Sequence, residues 1–338
     1  MESNRKSNFE LLRIVCILMI IGLHYNNARM GGALGNVIEG TPNYYIVHFT
    51  ESLFIVAVNV FILITGYFSY KKESVKVSKV IHLFYLCIVY GISIFALMLL
   101  TGNIVINVSS IKTLINTICS RWFVVIYIIL YLLIPYINKL LNAIDKKQHR
   151  ILLIILIFFF YIWPTFYNAI TISDGGYGII NFVTLYLIGA YIAKYVDYDI
   201  KKYKTIGIYL LCAIITTLFS CYTSLGAYAY IFIFNLIGSI ALFLTFKNLK
   251  IKNNKIINKL SGYVFVAYII HENEFIRLMI YKNLFKTVDF YQSKYMVLHM
   301  IGTVICIFIL CIIIEYIRRL IMKKLIDDKI EKIKYEIK

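Results

Sequence analysis

Ten runs of apolar residues follow one another along the chain, near 9–25, 47–70, 80–100, 121–138, 151–168, 178–194, 204–222, 227–246, 260–282 and 295–317. Each is about the 20 residues that an α-helix needs to cross the hydrocarbon core of a bilayer. The pattern predicts an all-α, polytopic transmembrane bundle of about ten spans. The longest gaps, near 27–46 and 101–120, are too short for a soluble domain, and no repeat of fixed period interrupts the series.

Composition narrows the class further. Of the 338 residues, 61% are hydrophobic and 15% charged, with a mean hydropathy of +0.79. Soluble domains are less apolar and more charged, and disordered chains are polar. A net charge of +18 would point to nucleic acid in a soluble protein. Here it reports orientation, because Lys and Arg collect in cytoplasmic loops. Counting gaps alternately from an inside N-terminus puts 27 of the 35 Lys and Arg inside. Seven fall outside: Arg29, Lys112, Arg121, Arg277, Lys282, Lys286 and Lys294. Arg13 lies within the first span. Both termini are thus expected in the cytoplasm. The first run lacks a clear small-x-small cleavage site and reads as a retained helix. From Arg318 to Lys338, Leu325, Ile326, Ile330, Ile333 and Ile337 share one side at helical spacing, which predicts a basic amphipathic helix on the inner leaflet. A solvated charged tail is the other reading. The seven cysteines show no metal-ligand spacing; only Cys119 and Cys221 fall near the outer face.

Ionisable residues inside spans are costly, so each is a candidate for function. The first run, NFELLRIVCILMIIGLHY, carries Glu10, Arg13 and His24. Eleven residues separate Arg13 from His24, which is about 20° past three full turns, so both lie on one face about 16 Å apart. Glu10 can pair with Arg13. Arg13 is equally readable as a snorkelling anchor, and His24 as a helix-packing histidine. In the ninth run, SGYVFVAYIIHENEFIRLMIYK, His271, Glu274 and Arg277 fall at i, i+3 and i+6 and share a stripe, with Glu272 beside it. That cluster reads either as a protein-lined polar cavity or as a salt-bridge network between helices. Arg121 before Trp122, and Asn59 on the second span, are weaker candidates. For His82, His299 and Glu315 packing is the better reading, and His48 and His149 read as interface and loop residues. No P-loop, GxSxG, HExxH or dinucleotide motif occurs, so neither ATP nor a metal is implied.

Arg13-x10-His24 at the start of such a chain resembles the acyltransferase 3 family, integral-membrane enzymes that O-acetylate bacterial surface polysaccharides, peptidoglycan and related sugars. The resemblance extends over roughly 5–320. VNVFILITGYF (Val58 to Phe68) is similar to that family's second-helix signature, WFVVIYIILYLLIP (Trp122 to Pro135) to its Trp…Tyr-Leu-Leu-x-Pro helix, and SGYVFVAYIIH (Ser261 to His271) to its late Ser…Tyr-x-Ile-His motif. Three departures bear on the acceptor more than on the reaction. Asn59 stands where many members carry an acid, Tyr127 or Ile128 where they carry Glu, and Lys76-x-x-Lys79 where they carry Arg-x-x-Arg.

The resemblance implies a membrane acyltransferase domain over 1–317 followed by the tail 318–338, in a bacterial plasma membrane. It implies acetyl-CoA as donor and a polysaccharide or lipid-linked sugar as acceptor, without metal. Arg13, with Lys76 and Lys79, would hold the anionic donor. His24 would be the general base, with Arg13 as its catalytic partner. His271, Glu274, Arg277, Arg121, Trp122 and Asn59 would bind the acceptor or orient His24. Two other classes stay open on the residues alone: a transporter or polysaccharide flippase, and a membrane polysaccharide polymerase. The first would show an inverted repeat and the second a long Arg-rich outer loop; the chain shows neither.

Overall fold

The structure, a computed structural model, describes residues 5–167, 174–197 and 200–338. It is almost entirely helical. Among the described residues, seven helices are long and apolar enough to cross a membrane: Ser7–Asn26, Pro42–Ser69, Val77–Leu100, Val108–Ala143, Lys146–Phe166, Lys202–Tyr222 and Met296–Glu331. Ile179–Tyr195 and Ile233–Lys247 are shorter apolar helices. The end of the expected 151–168 run lies outside the described residues.

Helix α1 (Ser7–Asn26) and the pair α2 (Pro42–Phe54) and α3 (Ala57–Ser69) form the interior. Some 67% of the apolar window in α1 and 72% of that across α2 and α3 are buried, against 22% in Lys146–Phe166 at the rim. A bundle in lipid is apolar all round, so inside and outside are sorted by small and polar residues instead. The crossing of α3 with Ile179–Tyr195 shows this. A Cβ on Gly66 would fall 2.2 Å from the Tyr186 carbonyl oxygen, and one on Gly189 2.4 Å from that of Leu63. The two backbones touch because both positions lack a side chain.

Helix starts follow ordinary capping chemistry. Thr41 accepts from the Tyr44 amide with Pro42 at the first turn of α2. Asp145 and Gln148 form a capping box before Lys146–Ile157. A second box, Asn107 with Ser110, starts α5 (Val108–Cys119), which lies in a stretch expected to be a gap. Its turn-by-turn alternation of Ile and Leu with Ser, Thr and Asn is amphipathic, not uniformly apolar, and so escapes a search for long apolar runs. α5 packs on α4 (Val77–Leu100), with Ile118 against Gly91, and leads into α6 (Trp122–Ala143).

Two expectations fail. The ninth run, 260–282, is not one helix. A 3₁₀ turn at Ser261–Tyr263 opens α7 (Val264–His271), which stops at His271; the Asn273 side chain then accepts from the Phe275 amide and turns the chain. The tail is not a continuous amphipathic helix either. α8 (Met296–Met322) runs into a π turn at Lys323–Asp327 and a last short turn ending at Glu331. The fold-back is made by charge: Arg318 binds both carboxylate oxygens of Asp327, at 3.0 and 2.9 Å, and Glu315 through its Nε and Nη2. Glu315 also accepts from Tyr90 and Arg319. The chain then reaches β2 (Glu336–Ile337), which pairs antiparallel with β1 (Val75–Lys76).

Gly66→Val should therefore force α3 away from its neighbour. Overpacking of this kind costs about 1–3 kcal/mol. The expected result is a lower unfolding midpoint in detergent, measured beside Gly207→Ala, where a Cβ meets nothing within 4 Å. An unchanged midpoint for Gly66→Val would contradict the close crossing.

Candidate active site

His24, near the end of α1, and His271, the last residue of α7, meet with their rings 2.8 Å apart, His24 Nδ1 to His271 Nε2. His271 is fully buried, and its Nδ1 lies 2.5 Å from the Ala267 carbonyl oxygen, one turn back on the same helix. A carbonyl only accepts, so His271 Nδ1 carries the proton and donates it. In the neutral ring Nε2 is then a lone pair. His24 Nδ1 must donate to that lone pair, which leaves His24 Nε2 unprotonated. The hydrogen-bond network thus assigns both tautomers and leaves a basic nitrogen on His24.

His24 lines a cavity of about 350 Å³ together with Arg13, Phe61, Trp122, Phe123, Tyr127, Tyr230, Tyr268 and Glu272. A second cavity of about 520 Å³ is lined by Lys72, Lys76, Lys79, Ser69, His82, Tyr131 and Glu331. Arg13, Thr65, Leu83 and Tyr127 belong to both walls. Three helices run along the pair. On α3, Val58 and Phe61 face the first cavity, Thr65 both, and Phe68 and Ser69 the second. On α6 the order is Trp122 and Phe123, then Tyr127, then Tyr131; on α1 it is His24, Leu23, Ile20 and Ile17, then Arg13. Val58 to Ser69 spans about 16 Å at 1.5 Å per residue. The two spaces adjoin end to end along the helices, as a passage in two stretches whose common wall includes Arg13.

Arg13 is held by Glu10 at 3.0 Å and keeps part of its guanidinium free. Lys76 and Lys79 stand in the wall of the second cavity, and Lys72, which the sequence did not single out, joins them. Its ammonium donates to Ser69 Oγ at 3.0 Å. Burial, and then the charges of Lys79 and Arg13, push Lys72 below the ordinary lysine range. Cations crowded in this way give the cavity a positive potential, which is the electrostatics an anion requires. Tyr131 fixes Lys76 from behind, its hydroxyl accepting from the Lys76 amide at 3.2 Å.

At the other end of the passage the aromatic residues form a wall. Trp122 stacks on Tyr230 at 5.7 Å and meets Tyr177 edge-on at 4.8 Å. Arg121 is only 6% exposed and lies behind this wall. Its Nε donates to the Thr117 carbonyl, and its Nη1 is 3.9 Å from Glu272, which holds Arg277 at 3.3 Å.

Of the six residues expected at the acceptor side only Trp122 lines the cavity; His271, Arg121 and Arg277 connect to it through His24 and Glu272, and Glu274 and Asn59 do not connect to it in this way. Glu274 is exposed, because the helix ends at His271 and the i, i+3, i+6 stripe does not exist beyond that point; Glu272 takes the place assigned to it. Asn59 has no exposed surface, and its amide donates to the Tyr230 carbonyl at 2.8 Å. It positions the Tyr230 segment and does not face the cavity. Tyr230 went unremarked among 29 tyrosines, since only the packing of distant helices distinguishes it from belt residues.

No curated protein and no solved structure matched the chain. A family model described as an acyltransferase domain matches residues 6–317, which takes in every element of the passage except the tail that edges the lysine cavity. The chain belongs to the acyltransferase 3 family.

Proposed function

We propose that this membrane acyltransferase transfers acetyl from acetyl-CoA to a hydroxyl of a cell-surface glycan or its lipid-linked precursor. The observation that carries the reading is the Ala267–His271–His24 hydrogen-bonded chain, placed where one end of the passage is cationic and the other aromatic. The donor's phosphates would sit among Lys72, Lys76 and Lys79, and its arm would pass Arg13 and Tyr127 to bring the thioester to His24. The sugar would enter against Trp122, whose face suits a pyranose ring. His24 Nε2 takes the proton of the attacking hydroxyl as its oxygen bonds to the thioester carbon. The carbon–sulfur bond then breaks, and the same proton passes to the departing thiolate. The products are the O-acetyl ester and free thiol, and the enzyme returns unchanged. As His24 becomes positive, its Nδ1–H remains bonded to neutral His271, which spreads the charge and fixes the ring.

The excess of Lys and Arg on alternate gaps supports ten spans with both ends cytoplasmic, in a bacterial plasma membrane. On that topology the lysine cavity opens where the donor is made and the aromatic wall faces the acceptor.

Loss of the base is expected to lower kcat on the order of 10²- to 10⁴-fold in His24→Ala. His271→Ala, which removes the acceptor for His24 Nδ1–H, should lower kcat by about tenfold or more with KM for acetyl-CoA unchanged. Full transfer by purified, folded His24→Ala would remove the mechanism. In cells, proton NMR of surface glycan from a deletion strain should lose O-acetyl signals, with wild type but not His24→Ala restoring them. Unchanged acetylation with altered glycan length or amount would favour a flippase or polymerase.

The donor site makes a separate prediction. Replacing Lys76 and Lys79 together by Gln removes charge-assisted contacts, each worth about 1.5–3 kcal/mol. KM for acetyl-CoA should rise at least about tenfold. KM for acetyl-pantetheine, which has no phosphates, should not change. Equal effects on both donors would place the phosphates elsewhere.

A further inference from the structure

The described chain leaves few buried side-chain polar atoms without a hydrogen-bond partner, and they are not scattered evenly. Asn26, His149, Asn248 and Thr303 each contribute one, while Thr117 Oγ1, Arg121 Nη1 and Nη2, Tyr268 Oη and Asn273 Nδ2 belong to the segments that meet at Glu272. Thr117 and Arg121 are tied by the Arg121 Nε bond, while Tyr268 and Asn273 flank Glu272 on the chain. Most of these atoms are donors. Buried groups of this kind normally have partners, and an orphaned cluster calls for an explanation. The charges do not balance either: Arg121 and Arg277 share one carboxylate, Glu272, while Glu274 faces away at an exposed position. One carboxylate between two guanidiniums leaves a net positive charge in little solvent, which is expensive unless something neutralises it.

From this arrangement we propose that Arg121 is a specificity residue for an anionic acceptor, binding a carboxylate or phosphate carried by the glycan. The inference rests on the acyl-transfer reading above and deepens it. Glu272 and Tyr268 line the cavity that holds His24, so an acceptor against Trp122 has its neighbouring substituent beside Glu272. Glu272 is nearer Arg277, at 3.3 Å, than Arg121, at 3.9 Å. Arg121 lies behind Glu272 and does not itself line the cavity, so the anion reaches its Nη atoms as Glu272 moves over to Arg277. Two cations then face two anions, and the free Nη atoms and Tyr268 hydroxyl gain acceptors. The planar guanidinium fork suits both carboxylate and phosphate. In the unliganded protein Glu272 is the stand-in that keeps Arg121 tolerable.

Trp122 gives a readout that needs no donor, because the only other tryptophan is Trp163. The experiment titrates full-length Trp163→Phe protein in nanodiscs with glucuronate, glucose and inorganic phosphate, following Trp122 fluorescence. Glucuronate should act at a concentration at least tenfold below glucose. A response to phosphate equal to that of glucuronate marks a general anion site, and a response to glucuronate alone marks a uronic acid; either fits the proposal. Arg121→Gln should abolish the preference for the anion. Glu272→Gln, which removes the competing carboxylate, should strengthen it several-fold, and a merely structural ion pair predicts no such gain. Equal responses to glucuronate and glucose, no response to either anion, or a preference that survives Arg121→Gln would overturn it. The same titration on His24→Ala protein separates the two readings: the anion preference persists there when transfer is lost.

Discussion

Everything at this site depends on one hydrogen bond between two imidazoles in an apolar bundle. Its partners are 247 residues apart in the chain. Neither ring could keep a defined proton alone, because a histidine with two free nitrogens interconverts between tautomers. The Ala267 carbonyl removes that freedom from His271, and His271 removes it from His24. The order propagates from backbone to base. That requires α7 to hold its last turn against α1, and it explains why α7 stops where it does. A helix continuing past His271 would carry Glu272 along its axis instead of turning it toward Arg121 and Arg277.

The passage follows from the same packing. Three helices line it lengthwise, so α3 and α6 carry residues from the lysine end to the histidine end in register, and α1 joins them with Arg13 and His24. Arg13 and His24 share a face of α1 because three turns separate them, and that spacing sets how far the base lies from the cations. A rotation of α1 would misplace both at once. Close crossings such as Gly66 against Tyr186 hold this register without strong side-chain attraction, which a lipid-solvated bundle cannot draw from the hydrophobic effect between helices.

The one-dimensional pattern made legible what depends on length and local period. Apolar runs long enough to span, Arg13 and His24 on one face, and the polar cluster beginning at His271 could all be read from it, while Arg121 stood out only weakly. It failed where local chemistry overrides period. Asn273 and the turn after His271 end a helix that hydrophobicity alone would continue, so Glu274 was favoured over Glu272. α5 was missed because half its positions are polar. Asn59 could not be told from a ligand-facing amide, since its partner is a backbone carbonyl 171 residues away. Lys72 looked like any loop lysine until the fold set it beside Lys79 and Arg13.

The strand pair β1–β2 bears on the order in which the molecule becomes competent. Ser74 donates to Glu336 across 262 residues of sequence, and the Val77 amide donates to Tyr335 at 3.0 Å. Lys76 sits on β1, and Glu331, at the end of the fold-back, edges the same cavity. During membrane insertion α1, α3 and α6 can associate early, but the lysine cavity keeps an unfinished rim until 331–337 have emerged and folded back. A chain inserted through α7 would therefore bring His24 and His271 together before its cation cluster is closed, so the two ends of the site mature in sequence, the lysine end last.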